Sequence, residues 1–260
     1  MLTAKGEDYG RPVRSVGVDL SAEARGTGVA AIEWSEEGAR LLYVRVGADD
    51  ATVLSAVQDA DRAAIDCPLG WPDPLIDFLV AHRAGLAPAP EGVSGLDWRR
   101  KLSRRATDLH VARVLPGAVP LAVGADRIAA VAMRAAGLLT ALADAGKPVD
   151  RTGAGLIVEV YPAAALRVWG LKSRSYKGSG NRAALLLLVD ELKSALPALD
   201  WQGHDEACRS SDDALDAVIC ALLARAAHLG LTAGPPEGLT DRAATEGWIH
   251  LPTPSSLEHL

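Results

Sequence analysis

Five acids stand where a carboxylate could do more than solvate a surface. Asp19 ends the run Val16-Gly17-Val18-Asp19-Leu20, in which alternation puts Val16, Val18 and Leu20 on one face of a strand and Ser15, Gly17 and Asp19 on the other. A glycine two residues before the acid lets another element approach the strand closely, as an acid-lined site requires. The plain alternative is a cap on the turn to Gly26-Thr27-Gly28. Asp66 ends a second apolar run, Ala64-Ile65-Asp66, just before Cys67-Pro68-Leu69-Gly70. Open α/β sheets collect ligand chemistry beyond the carboxyl ends of parallel strands, although an aspartate there can also simply initiate a turn. Glu159 lies inside Ile157-Val158-Glu159-Val160-Tyr161-Pro162, where it is costly unless paired, bound to a cation or facing solvent on an edge strand. Asp213 and Asp216 are three apart and share one helical face with Ala217, Cys220, Ala221 and Ala224. Such a face can lie close against a sheet and present both carboxylates at its amino end; the alternative is that first-turn acids only favour the helix dipole.

Gathering these acids would cost about 4 kcal/mol per pair at ~4 Å and an effective dielectric near ~20, so a divalent cation is the natural compensation. All-oxygen ligands without a His/Cys set point to Mg²⁺ or Mn²⁺. Two such ions would activate a water and stabilise the leaving oxygen in phosphodiester hydrolysis. The expected metal ligands are Asp19, Asp66, Asp213 and Asp216, with Glu159 beside them in the catalytic set.

The elements that must position these acids can be read from hydrophobic spacing. Val13–Leu20, Gly28–Trp34 and Arg40–Val46 predict three strands in meander order, Asp50–Arg62 a helix, and Ala63–Asp66 a buried strand stopped by Pro68. From about 71 to 150 the pattern becomes helical and is punctuated by prolines 72, 74, 88, 90, 116 and 120; its best helix is Ala125–Ala145. A strand is predicted over Leu156–Val160, helices over Ala163–Trp169, Asn181–Ala195 and Ser211–His228, and a late strand or strap over Trp248–Leu251. The expectation is one α/β domain over 13–252, a mixed sheet flanked by helices with a helical insertion between the fourth and fifth core strands, and tails at 1–12 and 253–260. Leu257-Glu258-His259 resembles vector-derived sequence and is expected to lie outside the fold.

With 260 residues, 49% hydrophobic and 23% charged, the chain is too apolar for disorder and too charged for a membrane bundle. Its start carries no apolar signal-peptide core and no apolar stretch reaches the length of a membrane span, so a cytoplasmic protein without membrane partners is expected. Three cysteines without CxxC spacing argue against structural zinc and against a disulfide framework. The net charge of −6 means that nucleic acid, as a partner, would have to be met by local basic patches.

Taken in order, Val18-Asp19-Leu20-Ser21, Ile65-Asp66-Cys67-Pro68-Leu69-Gly70, Arg105-Ala106-Thr107-Asp108, Glu159-Val160-Tyr161-Pro162, Ser175-Tyr176-Lys177-Gly178 and Asp212-Asp213-Ala214-Leu215-Asp216-Ala217 resemble the successive motifs of the domain of unknown function 429 family, predicted nucleases. The resemblance runs from about Val13 to Pro252 and implies a ribonuclease-H-like fold, in which Asp19, Asp66 and Asp213 or Asp216 bind metal. The closing Asp213-Ala-Leu-Asp216-Ala also resembles the last acidic motif of Holliday-junction resolvases. Ribonuclease H proper carries an acid on its first core helix; Asp59 and Asp61 at the end of this one match no motif.

The expected substrate-binding groups are Arg105, Asp108, Tyr161 and Lys177. Arg99, Arg100, Lys101, Arg104 and Arg105 follow Trp98 and could form a backbone-binding patch with a stacking aromatic, or only a solvated helix face. Tyr176, Lys177 and Arg182 form a second cluster in a Ser/Gly-rich loop expected to be mobile and phosphate-facing. His110 could carry a proton, whereas Cys67 is expected to be a small buried residue and Trp34, Trp71, Trp169 and Trp201 core packing. The function expected is a metal-dependent nuclease or phosphodiesterase. A non-catalytic binding module of the same fold is the rival, and an actin-like phosphotransferase, suggested by Asp19-Leu20-Ser21 before Gly26-Thr27-Gly28, is the third reading.

Overall fold

In a computed structural model of the chain, which describes residues 11–87, 95–172 and 174–260, the alternating run around Asp19 becomes strand β1 (Val13–Asp19). It pairs antiparallel with β2 (Gly28–Ser35), which pairs antiparallel with β3 (Gly38–Val46). Helix α1 (Asp50–Gln58) stops four residues earlier than expected, so that Arg62 opens β4 (Arg62–Asp66) beside β1 in parallel. Beyond β4 come the helices α2 (Asp73–Arg83), α3 (Gly95–Ser103), α4 (Ala106–Val114) and α5 (Ile128–Asp144), and then β5 (Ile157–Glu159), parallel to β4. The helical insertion therefore lies between the fourth and fifth strands, as expected. Pro88, Pro90 and most of the N-terminal tail fall outside the described residues.

The chain continues through α6 (Pro162–Val168), α7 (Arg182–Ala195), β6 (Leu199–Asp200), α8 (Asp205–Ser210) and α9 (Asp212–His228). Last come β7 (Thr232–Ala233), α10 (Thr240–Glu246) and β8 (Leu251–Pro252). The sheet order is β5-β4-β1-β2-β3-β6, six mixed strands, and β7 pairs with β8 separately. The 248–251 segment is partly strap and partly strand: Ile249 forms an isolated parallel bridge with Glu159, and Leu251 enters β8. One expectation is corrected. Ser256 and Leu257 are buried, and the Trp169 Nε1–H donates to Ser256 Oγ at 2.8 Å, so the closing residues pack on the core.

Alternation sorts the two layers. Val16, Val18, Ala63 and Ile65 point into a core completed by Val53 and Val57 of α1 and Leu138, Leu139 and Leu142 of α5. Ala30, Ile32, Ala64 and Val158 point the other way, toward α6, α7 and α9. Fully burying each Leu or Ile stabilises by roughly 1.5–3 kcal/mol, and both faces are filled this way. Helix α9 lies almost on the strands: a Cβ at Gly17 would overlap the Ala217 carbonyl oxygen and the Ala221 amide nitrogen, and one at Gly28 would overlap the Asp213 carbonyl oxygen. The small-residue face of α9 and these two glycines let helix and sheet meet backbone to backbone.

Candidate functional site

Asp19 and Asp66 are register partners at the carboxyl ends of two neighbouring parallel strands. Both side chains therefore leave the same face of the sheet, about one strand spacing apart. With Asp213 they line a cavity of about 540 Å³. Asp216 sits behind them, fully buried, where its Oδ1 accepts a hydrogen bond from the Tyr176 hydroxyl at 2.8 Å and its Oδ2 is ion-paired with the Lys177 ammonium. The loop carrying both partners is tied to the start of α9, because Gly178 N–H donates to Asp212 Oδ2 at 3.1 Å. Lys177 also lines the cavity, whereas Arg182 opens α7 in an exposed position.

Crowding of these acids shows in their protonation. Burial, and then the charge of Asp216, push the Asp19 carboxyl well above the usual carboxylate range, against the pull of Lys177. Burial likewise lifts Asp66 to about 7, with Lys177 opposing and Asp216 and Glu159 adding to the rise. Asp216 is raised by burial despite Lys177 and Tyr176, and Asp213 by burial and Asp212. Burial alone would lower Lys177, but Asp216, Asp19 and Asp66 outweigh it and hold the ammonium charged.

Glu159, Arg105 and Asp108 are brought together with a different result. Arg105 is 1% exposed, and all five of its guanidinium N–H groups are engaged. Nη1 donates to Glu159 Oε2 (2.8 Å) and to the Glu246 carbonyl (3.1 Å), and Nη2 to Glu159 Oε1 (2.7 Å) and Asp108 Oδ1 (2.9 Å). Nε donates to Asp108 Oδ2 (3.3 Å). Leu69 N–H adds a bond to Glu159 Oε2 at 3.0 Å. Burial would depress the guanidinium, yet Glu159 and Asp108 hold it above its ordinary value. Arg105 and Glu159 touch the cavity wall, but no guanidinium N–H is left over for a phosphate. The strap makes this possible: Gly247 has φ +86°, and a Cβ there would come within 2.7 Å of Glu159 Oε2. Glu246 and Gly247 were not singled out from sequence, since nothing local ties them to an arginine about 140 positions earlier.

Tyr161 and Cys67 line the cavity, and burial pushes both the phenol and the thiol up. His110 packs against Trp248, ring centroids 5.0 Å apart. Asp61 is at the opposite end of β4, bonded to the Arg14 amide, and Asp59 caps α1. Trp98 packs edge-on against Phe78, and Arg99, Arg100 and Arg104 line a separate hollow. In the Gly26-Thr27-Gly28 turn the Thr27 hydroxyl is bonded to the Glu23 carbonyl and to Arg134, and Gly28 accommodates α9, so the turn is occupied by its own structure.

The donor chemistry suits a hard divalent cation, but the arrangement does not close around one. Among the described residues no three His, Cys, Asp or Glu side chains form a group able to hold a metal ion, and Lys177 supplies the positive charge at the acids. Among the described residues, no helix is long and apolar enough to cross a membrane.

Neither a curated protein nor a solved structure matches the chain. The acids on β1, β4 and α9, together with the Arg105, Glu159 and Lys177 segments, do fall within one continuous match, over residues 17–240, to the family described as Protein of unknown function (DUF429), and the chain belongs to that family.

Proposed function

We propose that the protein hydrolyses phosphodiester bonds, a nuclease in the broad sense, at the cavity formed by Asp19, Asp66 and Asp213. One observation carries this reading: two carboxylates in register on adjacent strands, both with raised protonation, open into a cavity that also presents Lys177. The strand order β3-β2-β1-β4-β5 with an acidic closing helix supports the ribonuclease-H-like fold that the sequence resemblance implies.

The chain's own residues suffice to describe the proton movements. Burial raises both Asp19 and Asp66, and Asp66 sits near neutrality, where a general acid–base group is most effective. One carboxylate takes the proton of an attacking water as its oxygen bonds to phosphorus. The other, still protonated, gives its proton to the oxygen leaving phosphorus. Lys177 draws the anion in. No step here runs through Mg²⁺ or Mn²⁺, because Lys177 already supplies positive charge at these acids and they form no group able to hold an ion among the described residues.

The test is a panel of labelled single-stranded, duplex, hybrid and junction substrates with small chromogenic phosphodiesters, with and without Mn²⁺, beside Asp19→Asn. Cleavage that Asp19→Asn abolishes is expected. Cleavage that survives the substitution would place the chemistry elsewhere. Saturable binding without turnover would favour the rival reading, a binding module, which the charge match between Lys177 and Asp216 also suits.

A further inference from the structure

We infer that the cavity takes a compact phosphodiester, with one apolar or aromatic group of nucleoside size beside a small leaving group, and does not take a nucleic-acid duplex. This rests on the reading above that the pocket hydrolyses phosphodiesters, and it deepens that reading by naming the substrate class.

The first ground is how the cavity is walled. Its floor is the acid end of the sheet; its opposite wall comes from the helical insertion, through Leu121, Arg127, Ile128 and Val131. At about 540 Å³ the volume falls in the range of small-molecule sites, roughly 300–1,000 Å³. One part is charged and the other aliphatic, the division a phosphoester with one apolar substituent would match.

The second ground is that this wall is fastened down. Arg134 of α5 reaches across to the turn after β1 and the start of α1, donating to the Ser21 carbonyl (2.8 Å), the Thr27 hydroxyl (2.6 Å), the Ala48 carbonyl (3.2 Å) and Asp50 Oδ1 (2.7 Å). The segment leading into α5 is held as well: Arg104 donates to the Pro120 carbonyl at 2.7 Å, Ala122 N–H to Asp126 Oδ2 at 2.7 Å and Gly124 N–H to the Ser103 carbonyl at 3.1 Å. A duplex would have to displace this wall to bring a backbone phosphate to Asp19 and Asp66.

Charge agrees. Specific duplex-binding faces bury about 1,000–2,500 Å² per protein and are strongly positive. Here the chain carries −6, and the cavity's three cations are Arg105, Arg127 and Lys177. Arg105 has no donor to spare. Arg127 is exposed on the wall facing the acids and makes no ion pair or hydrogen bond among the described residues. It is the group positioned to receive one phosphate, together with Lys177.

The experiment compares the p-nitrophenyl ester of thymidine 5′-monophosphate with a short DNA duplex as substrates, and follows binding of thymidine 5′-monophosphate by calorimetry, for the native chain and Arg127→Ala. The ester should be cleaved at least about tenfold more efficiently per bond than the duplex. Arg127→Ala should raise KM for the ester, and weaken nucleotide binding, by about tenfold or more while kcat changes much less. A duplex cleaved as well as the ester, or an Arg127→Ala protein with unchanged KM, overturns the inference and leaves the hydrolase reading standing. Nucleotide binding that depends on Arg127 without cleavage of anything overturns the hydrolase reading and keeps the assignment of the pocket. Absence of both binding and cleavage overturns both.

Discussion

Around Arg105, one guanidinium meets the carboxylates of Glu159 and Asp108, and every N–H it carries is used. One strand over, a single loop ammonium, that of Lys177, pairs with Asp216 and only partly offsets the crowding of Asp19 and Asp66, and burial holds all three carboxyls above their ordinary range. Arg105, Asp108 and Glu159 are buried, whereas Asp19 and Asp66 are half-buried where they open into the cavity and Lys177 is exposed; both clusters border that cavity. The difference is satisfaction: the first is complete and works as a joint between the insertion, the sheet and the strap, while the second keeps acid in excess. Perturbed carboxylates of this kind cluster at functional sites, which is why the proposed function is placed at the second cluster.

Substitutions can break this contrast, beginning with the largest effect. Asp66→Asn should lower hydrolysis by about 10²- to 10⁴-fold, the usual contribution of a general acid–base group, while the melting temperature holds or rises because a crowded charge is gone. Turnover within a few-fold of the native chain would remove Asp66 from the chemistry. Arg105→Ala should do the reverse, costing about 3–5 kcal/mol in urea unfolding by stranding buried carboxylates. A loss below about 1 kcal/mol would mean that the joint is not what holds the strap.

Gly17→Ala tests the support under both clusters. It forces backbone against backbone between β1 and α9, and a loss of about 1–3 kcal/mol in a thermal or urea melt is expected. A further test is the pH dependence. Below pH about 4, Asp66 is protonated in folded and unfolded chains alike. Between about 4 and 7 the unfolded chain gives up that proton first, so the folded chain binds more protons and its stability falls as pH rises through about 7. Urea midpoints across this window should show the fall, and Asp66→Asn should reduce the slope. Equal slopes in the two proteins would assign the effect to other groups.

The acid site was more legible in sequence than its surroundings, for reasons particular residues make plain. Gly17 before Asp19, and the run Asp213, Asp216, Ala217, Cys220, Ala221, carry local spacings that suit close packing of a helix on a strand, and the two elements do meet there. Glu159 was readable as an acid needing a partner, but the choice between arginine and metal depended on Arg105, on Gly247 and on a strap reached 88 residues later. Arg105 and Asp108 are expected among the substrate-binding groups; Arg105 borders the cavity and Asp108 does not, and the guanidinium is spent on Asp108, Glu159 and the Glu246 carbonyl. Two-residue strands such as β6 and β8 are too short to show alternation, and Arg127 or Ile128 gains its position only from the way the insertion folds back.

The seating of α9 on Gly17 and Gly28 has a mechanical meaning. Side-chain packing leaves some play, because rotamers can shift to absorb a nudge. Where main chain rests on main chain there is nothing to rotate, and the height of α9 is fixed by atomic radii, its first turn over the start of β2 and its next turns over β1. The backbone that carries Asp213 is thus held over the strand ends by a hard stop, which sets how far its carboxylate can reach.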